Sequence, residues 1–174
     1  MTSPENIRKG LGTQVIGSSV ICLEETTSTN DCARTMASQG AIEGTVVIAE
    51  TQTTGRGRLG RQWYSPRGGI WMSIVLRPPS NRPLQKITLL SGLSIAPSLR
   101  ALFKIHAVLK WPNDVLVRNK KISGVLTEGS FVGDRLLFVL VGIGINANIS
   151  LDAFPVELRN ETTSLKALLR RNVS

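Results

Sequence analysis

At 174 residues and a net charge of +9, from 21 Lys and Arg against 12 Asp and Glu, the chain is long enough for one domain with a real core. Its ordinary apolar content excludes a disordered tail, and the lack of any run of about 18 apolar residues excludes a spanning helix. Two cysteines without metal-ligand spacing and a single histidine, His106, exclude a His-based zinc site and a His-dependent triad, while the charge excess favours phosphates, nucleic acids or acidic proteins as partners.

The N-terminal stretch MTSPENIRKGLG has no apolar core and reads as neither secretory signal nor lipidation site. Cys22 and Cys32 then read as reduced thiols of a cytoplasmic protein, packed as small hydrophobes. VICLEE at 20–25 predicts a strand. STND at 28–31 offers N-caps for a helix over CARTMASQ, which Gly40 ends. TVVIAE at 45–50 is a continuous apolar run, as expected of a strand covered on both faces. A long loop over 51–69 follows, rich in Gly, Arg and Pro. IWMSIVLR at 70–77 is again a strand. Residues 83–103 have helical periodicity, with Pro97 expected to kink or divide the helix. His106 opens a buried strand, and AVLKWPNDVLV at 107–117 reads as strand, turn, strand. KISGVLTEGSF and RLLFVLVGIGINAN read as antiparallel strands joined at Val132-Gly133-Asp134, and a short helix starts near Ser164. The fold class expected is α+β: a mixed, largely antiparallel sheet flanked by helices.

Long loops without secondary structure are commonly functional, so 51–69 is the first place to look for chemistry. GRGRLG at 55–60 matches G-x-G-x-x-G, but the dinucleotide fingerprint needs a helix next and an acid about 20 residues later. Here Pro66, Gly68 and Gly69 forbid the helix, and no acid stands near position 80. No Gly-Lys-Ser/Thr follows either, so the loop is not a P-loop. Three readings remain: an anion-holding loop, an RNA-binding Gly-Arg patch, or a solvated turn. Close glycines let backbone N–H groups converge on one anion, and Arg56, Arg58 and Arg61 can add bidentate hydrogen bonds. Such a loop should be mobile until a ligand orders it. KWPND at 110–114 places Lys110 at the end of a strand, partly desolvated unless an anion meets it. In GIGIN at 142–146 the strand glycines suggest close approach by a ligand, with Asn146 at the tip.

STN, AETQTTGRGRLGRQW, KWPNDVL, KISGVLTE and VGIGINAN, in this order, resemble the biotin–protein ligases, also called biotin–[acetyl-CoA-carboxylase] ligases. The likeness spans about residues 15–170. It implies a fold like that of class II aminoacyl-tRNA synthetases and biotin ligases. It implies a two-step reaction with ATP and Mg²⁺: biotin is activated as biotinyl-5′-AMP and then passed to a lysine of a biotin carboxyl carrier domain. Both are substrates, and no tightly bound cofactor and no protein-held metal are implied. Ser28, Thr29, Asn30 and Gln52 match biotin contacts. Arg56, Gly57 and Arg58 match the adenylate-holding loop and, with Lys110, are implied to meet biotin as well; Arg58 and Lys110 are the catalytic groups implied. Arg56, Arg58, Arg61, Trp63, Lys121 and Asn146 are the nucleotide contacts implied.

The expected organisation is one catalytic domain over 1–174. No helix-turn-helix precedes it, so no DNA-binding role is expected, and the family's small C-terminal barrel is absent. Apolar surface left uncovered at the last strands would favour a homodimer. A lipoate– or octanoate–protein ligase is the enzymatic rival, and a basic nucleic-acid-binding module the rival from another class.

Overall fold

The computed structural model describes residues 3–79 and 84–173. A short helix α1 (Pro4–Lys9), capped by Ser3, leads into strand β1 (Val20–Thr26). Helix α2 (Thr29–Ser38), strands β2 (Val46–Gln52) and β3 (Ile70–Leu76) and the long helix α3 (Leu84–Phe103) follow. Then come β4 (Ala107–Lys110), β5 (Asp114–Val117), β6 (Lys120–Val132) and β7 (Arg135–Ile145). Two short helices, α4 (Val156–Arg159) and α5 (Leu165–Leu169), end the described chain. The strands form one seven-stranded sheet in the order β1-β2-β3-β7-β6-β5-β4. Only β1 and β2 run parallel; every other pair is antiparallel. The mixed, largely antiparallel sheet expected from the sequence is the one observed.

Both faces of this sheet are covered, which is why its strands read as apolar runs rather than clean alternations. On one face α3 lays Ile95, Ala96 and Leu99 over Ile74, Val125, Val139, Val141 and Ile143. On the other, α2 buries Ala33 and Ala37 against Val47, Val75, Phe138 and Leu140, with Cys32 and Met36 at the edge of the contact. The two alanines let α2 lie close to the sheet. The period of two along each strand carries this second face onward. Past Val75 it presents Ser73 and Trp71, past Leu140 it presents Gly142 and Gly144, and on β6 it presents Glu128, Leu126 and Gly124. Where Asn30, in the first turn of α2, meets the sheet, it finds the polar Ser73 and Glu128 and the bare backbone of Gly142.

Local signals explain the boundaries. Gly40, at φ +96°, ends α2 with its N–H on Ala37 O and that of Ala41 on Met36 O, a Schellman closure. Ser164 caps α5 by accepting from Ala167 N at 3.1 Å. The β6–β7 turn is made by Gly133 at φ +54° and Asp134, one residue tighter than expected. Three expectations are corrected. Pro97 does not divide α3, because it lies on the exposed side, where the carbonyl it leaves unbonded faces water. His106 is exposed and precedes β4 rather than opening a buried strand. The loop is shorter than 51–69, since β2 runs to Gln52 and bridges pair Gln52 with Ser65 and Arg56 with Gln62.

Candidate active site

The bare end of the sheet, the first turn of α2 and the Gly-Arg hairpin enclose a cleft of about 640 Å³, within the usual range for small-molecule sites. All twelve residues implied by the motifs line it: Ser28, Thr29, Asn30, Gln52, Arg56, Gly57, Arg58, Arg61, Trp63, Lys110, Lys121 and Asn146. They come from five separate stretches of the chain.

The floor is a hydrogen-bonded set at the start of α2. Ser28 stands at the N-cap but makes no side-chain cap bond. Gln52 does that work from β2: its Oε1 accepts from Thr29 N at 2.8 Å and from Thr29 Oγ1 at 3.0 Å. Gln52 Nε2 donates to Ser65 Oγ at 2.8 Å, on the return arm of the hairpin. Gly55 sits where these groups meet, and a Cβ there would come within 2.5 Å of Trp63 O and 2.6 Å of Ser65 Oγ. Asn30, 3 % exposed, donates through Nδ2 to Glu128 Oε2 at 2.7 Å and has Ser73 Oγ at 2.5 Å from its Oδ1. Neither Glu128 nor Ser73 was singled out from the sequence. They lie in unremarkable strand positions, and only strand pairing puts them beneath α2.

The hairpin over 53–63 is tied internally. Gly57 N donates to Arg61 O at 2.7 Å and Trp63 N to Gly55 O at 2.9 Å. A 3-10 turn, Arg58–Gly60, forms its tip, with Leu59 left-handed at φ 57° and 90 % exposed. Arg58 Nη1 donates to Asn113 Oδ1 at 3.0 Å, joining this tip to the β4–β5 turn. The Arg56 guanidinium is held by Asp31 through two hydrogen bonds, at 2.5 and 2.6 Å. These bonds hold the Asp31 carboxyl below its ordinary range and raise Arg56 above its own.

The wall is Trp63. Its indole lies against the backbone of Gly144 and Gly124, where an added Cβ would meet ring atoms at 2.5 Å and 3.0 Å. The glycines of GIGIN therefore make room for protein side chains, Trp63 at Gly144 and Asn30 at Gly142, rather than directly for a ligand. Lys121 Nζ stands 5.0 Å from the Trp63 ring centre and 2.7 Å from Asp114 Oδ1. Two buried polar atoms in the lining have no protein partner, Trp63 Nε1 and Asn146 Oδ1. The other end of the Asn146 amide donates to Thr163 O at 3.0 Å and so holds the segment after β7. Lys110 is exposed at the end of the edge strand β4, which corrects the expectation of a desolvated amine. Five cationic side chains and two carboxylates, Asp114 and Glu161, line the cleft, so it is built for an anion.

Among known proteins, the chain matches the biotin/lipoate A/B protein ligase family over residues 22–146. It is 45% identical over 167 residues to the bifunctional ligase/repressor BirA of Bacillus spizizenii, covering 94% of this chain and 51% of that protein. It is 37% identical over 144 residues to the biotin–[acetyl-CoA-carboxylase] ligase of Paracoccus denitrificans, covering 78% and 57%. The biotin protein ligase from Aquifex aeolicus in complex with biotin and ATP superposes with a TM-score of 0.78 at 36% identity, over 90% of this chain and 63% of that one. The chain spans about half the length of the first two relatives. A match across most of the sheet and every strand that borders the cleft leaves one conclusion: this chain belongs to the biotin/lipoate A/B protein ligase family.

Proposed function

We propose that the cleft activates biotin with ATP and passes it to a lysine of a biotin carboxyl carrier domain. The observation that carries this reading is the joining of a neutral hydrogen-bonding floor to a cationic rim in one cavity. The floor, Ser28, Thr29, Asn30 and Gln52, suits an uncharged ring with N–H and C=O groups. The rim suits a carboxylate and a phosphate brought together. In the first step a biotin carboxylate oxygen attacks the α-phosphorus of ATP, a P–O bond forms, and pyrophosphate leaves with the electrons of the bond that breaks. In the second, the acceptor amine attacks the acyl carbon, the amide forms, and AMP leaves while the amine loses a proton. Both steps gather negative charge on phosphate oxygens, which fixed cations stabilise without reorganising.

Arg58 and Arg61 at the hairpin tip are the groups we assign to the phosphates. Of the two lysines, Lys121 is the better held: Asp114 fixes its ammonium beside the Trp63 face, whereas Lys110 stands exposed at the sheet edge. Asp114 already matches the Lys121 charge, so Lys110, with no carboxylate within 4.0 Å among the described residues, takes the central charge-stabilising role, and Lys121 an outer one. The Trp63 face is the apolar wall for the nucleotide base. Among the described residues no three His, Cys, Asp or Glu side chains cluster as a metal site. Mg²⁺ carried on the nucleotide phosphates would supply charge neutralisation there. No helix among the described residues is long and apolar enough to cross a membrane.

The test is ATP–pyrophosphate exchange with biotin, lipoate or octanoate as the acid, followed by transfer to an unmodified carrier domain. Exchange stimulated by biotin alone is expected. Stimulation by lipoate or octanoate in preference to biotin, or none, refutes the reading.

A further inference from the structure

We propose that Arg56 is a positioning residue: with Asp31 and Glu128 it clamps the base of the Gly-Arg hairpin to the helix that carries Thr29 and Asn30, and leaves anion binding to the arginines at the tip. The three arginines of the hairpin are alike in sequence, yet the fold treats them differently. Arg56 Nη1 and Nη2 each face one oxygen of Asp31, at 2.5 and 2.6 Å, and Nη2 also lies 3.8 Å from Glu128 Oε2. Arg34, one turn along α2 from Asp31, reaches the same Glu128 oxygen at 3.3 Å. Two cations and two carboxylates thus form a neutral cluster. By contrast, among the described residues no carboxylate lies within 4.0 Å of Arg58, Arg61 or Lys110.

This contrast decides the roles. A guanidinium already in a bidentate pair must lose that pair before it can serve another anion, whereas Arg58 and Arg61 need displace no carboxylate. The placement of Arg56 suits a clamp. Its backbone pairs with Gln62 at the neck of the hairpin, so fixing it fixes both arms. The 3-10 turn that carries Arg58 lies beyond that neck. Asp31 follows Asn30 directly in α2, and Glu128 takes the Asn30 Nδ2 hydrogen bond. One cluster therefore sets the angle of the hairpin and the orientation of the Asn30 amide together. Glu128 is the shared element, which gives this mid-strand carboxylate its purpose.

The inference rests on the ligase reading only for its activity readout; its first measurement needs no ligand. In the ligand-free protein, trypsin cleavage after Arg58 and Arg61 reports opening of the hairpin. Asp31→Asn keeps the shape and removes the charge, so cleavage should rise on the order of fivefold, as expected for loss of a well-aligned exposed pair. Unchanged cleavage overturns the clamp. The charge-swapped pair Asp31→Arg with Arg56→Asp is the second measurement. Each single change should open the hairpin and raise the biotin KM more than it lowers kcat, and the double variant should recover part of both, since the new carboxylate at 56 stands near Glu128 and the new guanidinium at 31 near Arg34. A double variant that closes the hairpin yet stays inactive makes Arg56 a direct ligand and overturns the proposal. So does one that recovers neither. If wild-type protein shows no biotin-stimulated exchange, the ligase reading fails while the cleavage result still decides the clamp.

Discussion

Gly144→Ala isolates the contact that seats Trp63, the wall we assign to the nucleotide. A Cβ at this position would lie 2.5 Å from Trp63 Nε1, 2.6 Å from Cε2 and 2.8 Å from Cζ2. Ordinary contact begins at about 3.4 Å, so the indole must retreat by nearly an ångström or β7 must bend. Neither is easy, because β7 is a central strand between β3 and β6 and Trp71 packs edge-on against Trp63 at 6.3 Å. Overpacking of this kind costs about 1–3 kcal/mol. For a chain of this length that lowers Tm by about 3–10 °C. If the strain is relieved by tilting the indole, the wall moves, and MgATP should bind roughly tenfold more weakly for each 1.4 kcal/mol of lost contact. Thermal unfolding and titration calorimetry with MgATP, with and without biotin, read the two effects. Gly12→Ala is the control, since nothing lies within 4 Å of its added Cβ. A Gly144→Ala protein that matches this control in both Tm and nucleotide affinity would falsify the packing argument.

Lys110→Ala should reduce biotin-dependent pyrophosphate exchange by orders of magnitude and Lys121→Ala by less; the reverse ranking would move the central role to Lys121. Ser73→Ala removes the hydroxyl between Asn30 Oδ1 and Thr29 Oγ1, at 2.5 and 2.8 Å. A buried amide oxygen left without its donor costs about 1–3 kcal/mol, read as a lower denaturant midpoint at unchanged slope, and an unshifted midpoint would contradict the network. The Asp31 carboxyl is held below its usual value, chiefly by the Arg56 hydrogen bonds. Its contribution is therefore complete above the unfolded value of about 3.9 and is lost as pH falls through the lower folded value. Hydrogen exchange across 53–63 should accelerate only in that acid window in wild type, and already at neutral pH in Asp31→Asn; identical profiles for the two proteins would remove Asp31 from the hairpin's control.

The chain by itself determined the elements and the chemistry they bring. Apolar runs gave the strands, Gly40 and Ser164 marked helix ends, and five motifs named the residues that now line one cleft. Those features are local, set by backbone preference and by residue type within a few positions. Tertiary structure alone decided which of these residues still have their charge to offer. The three arginines of GRGRLGR are equivalent as letters, but the register of α2 against the hairpin hands Asp31 to Arg56 alone. Lys110 and Lys121 likewise differ only because one ends an edge strand and the other faces Asp114 across β5 and β6. The strand glycines of GIGIN looked like room for a ligand, and pairing across the sheet filled that room with Trp63 and Asn30. Electrostatic roles depend on distances of a few ångströms between residues far apart in sequence, and strand pairing sets those distances.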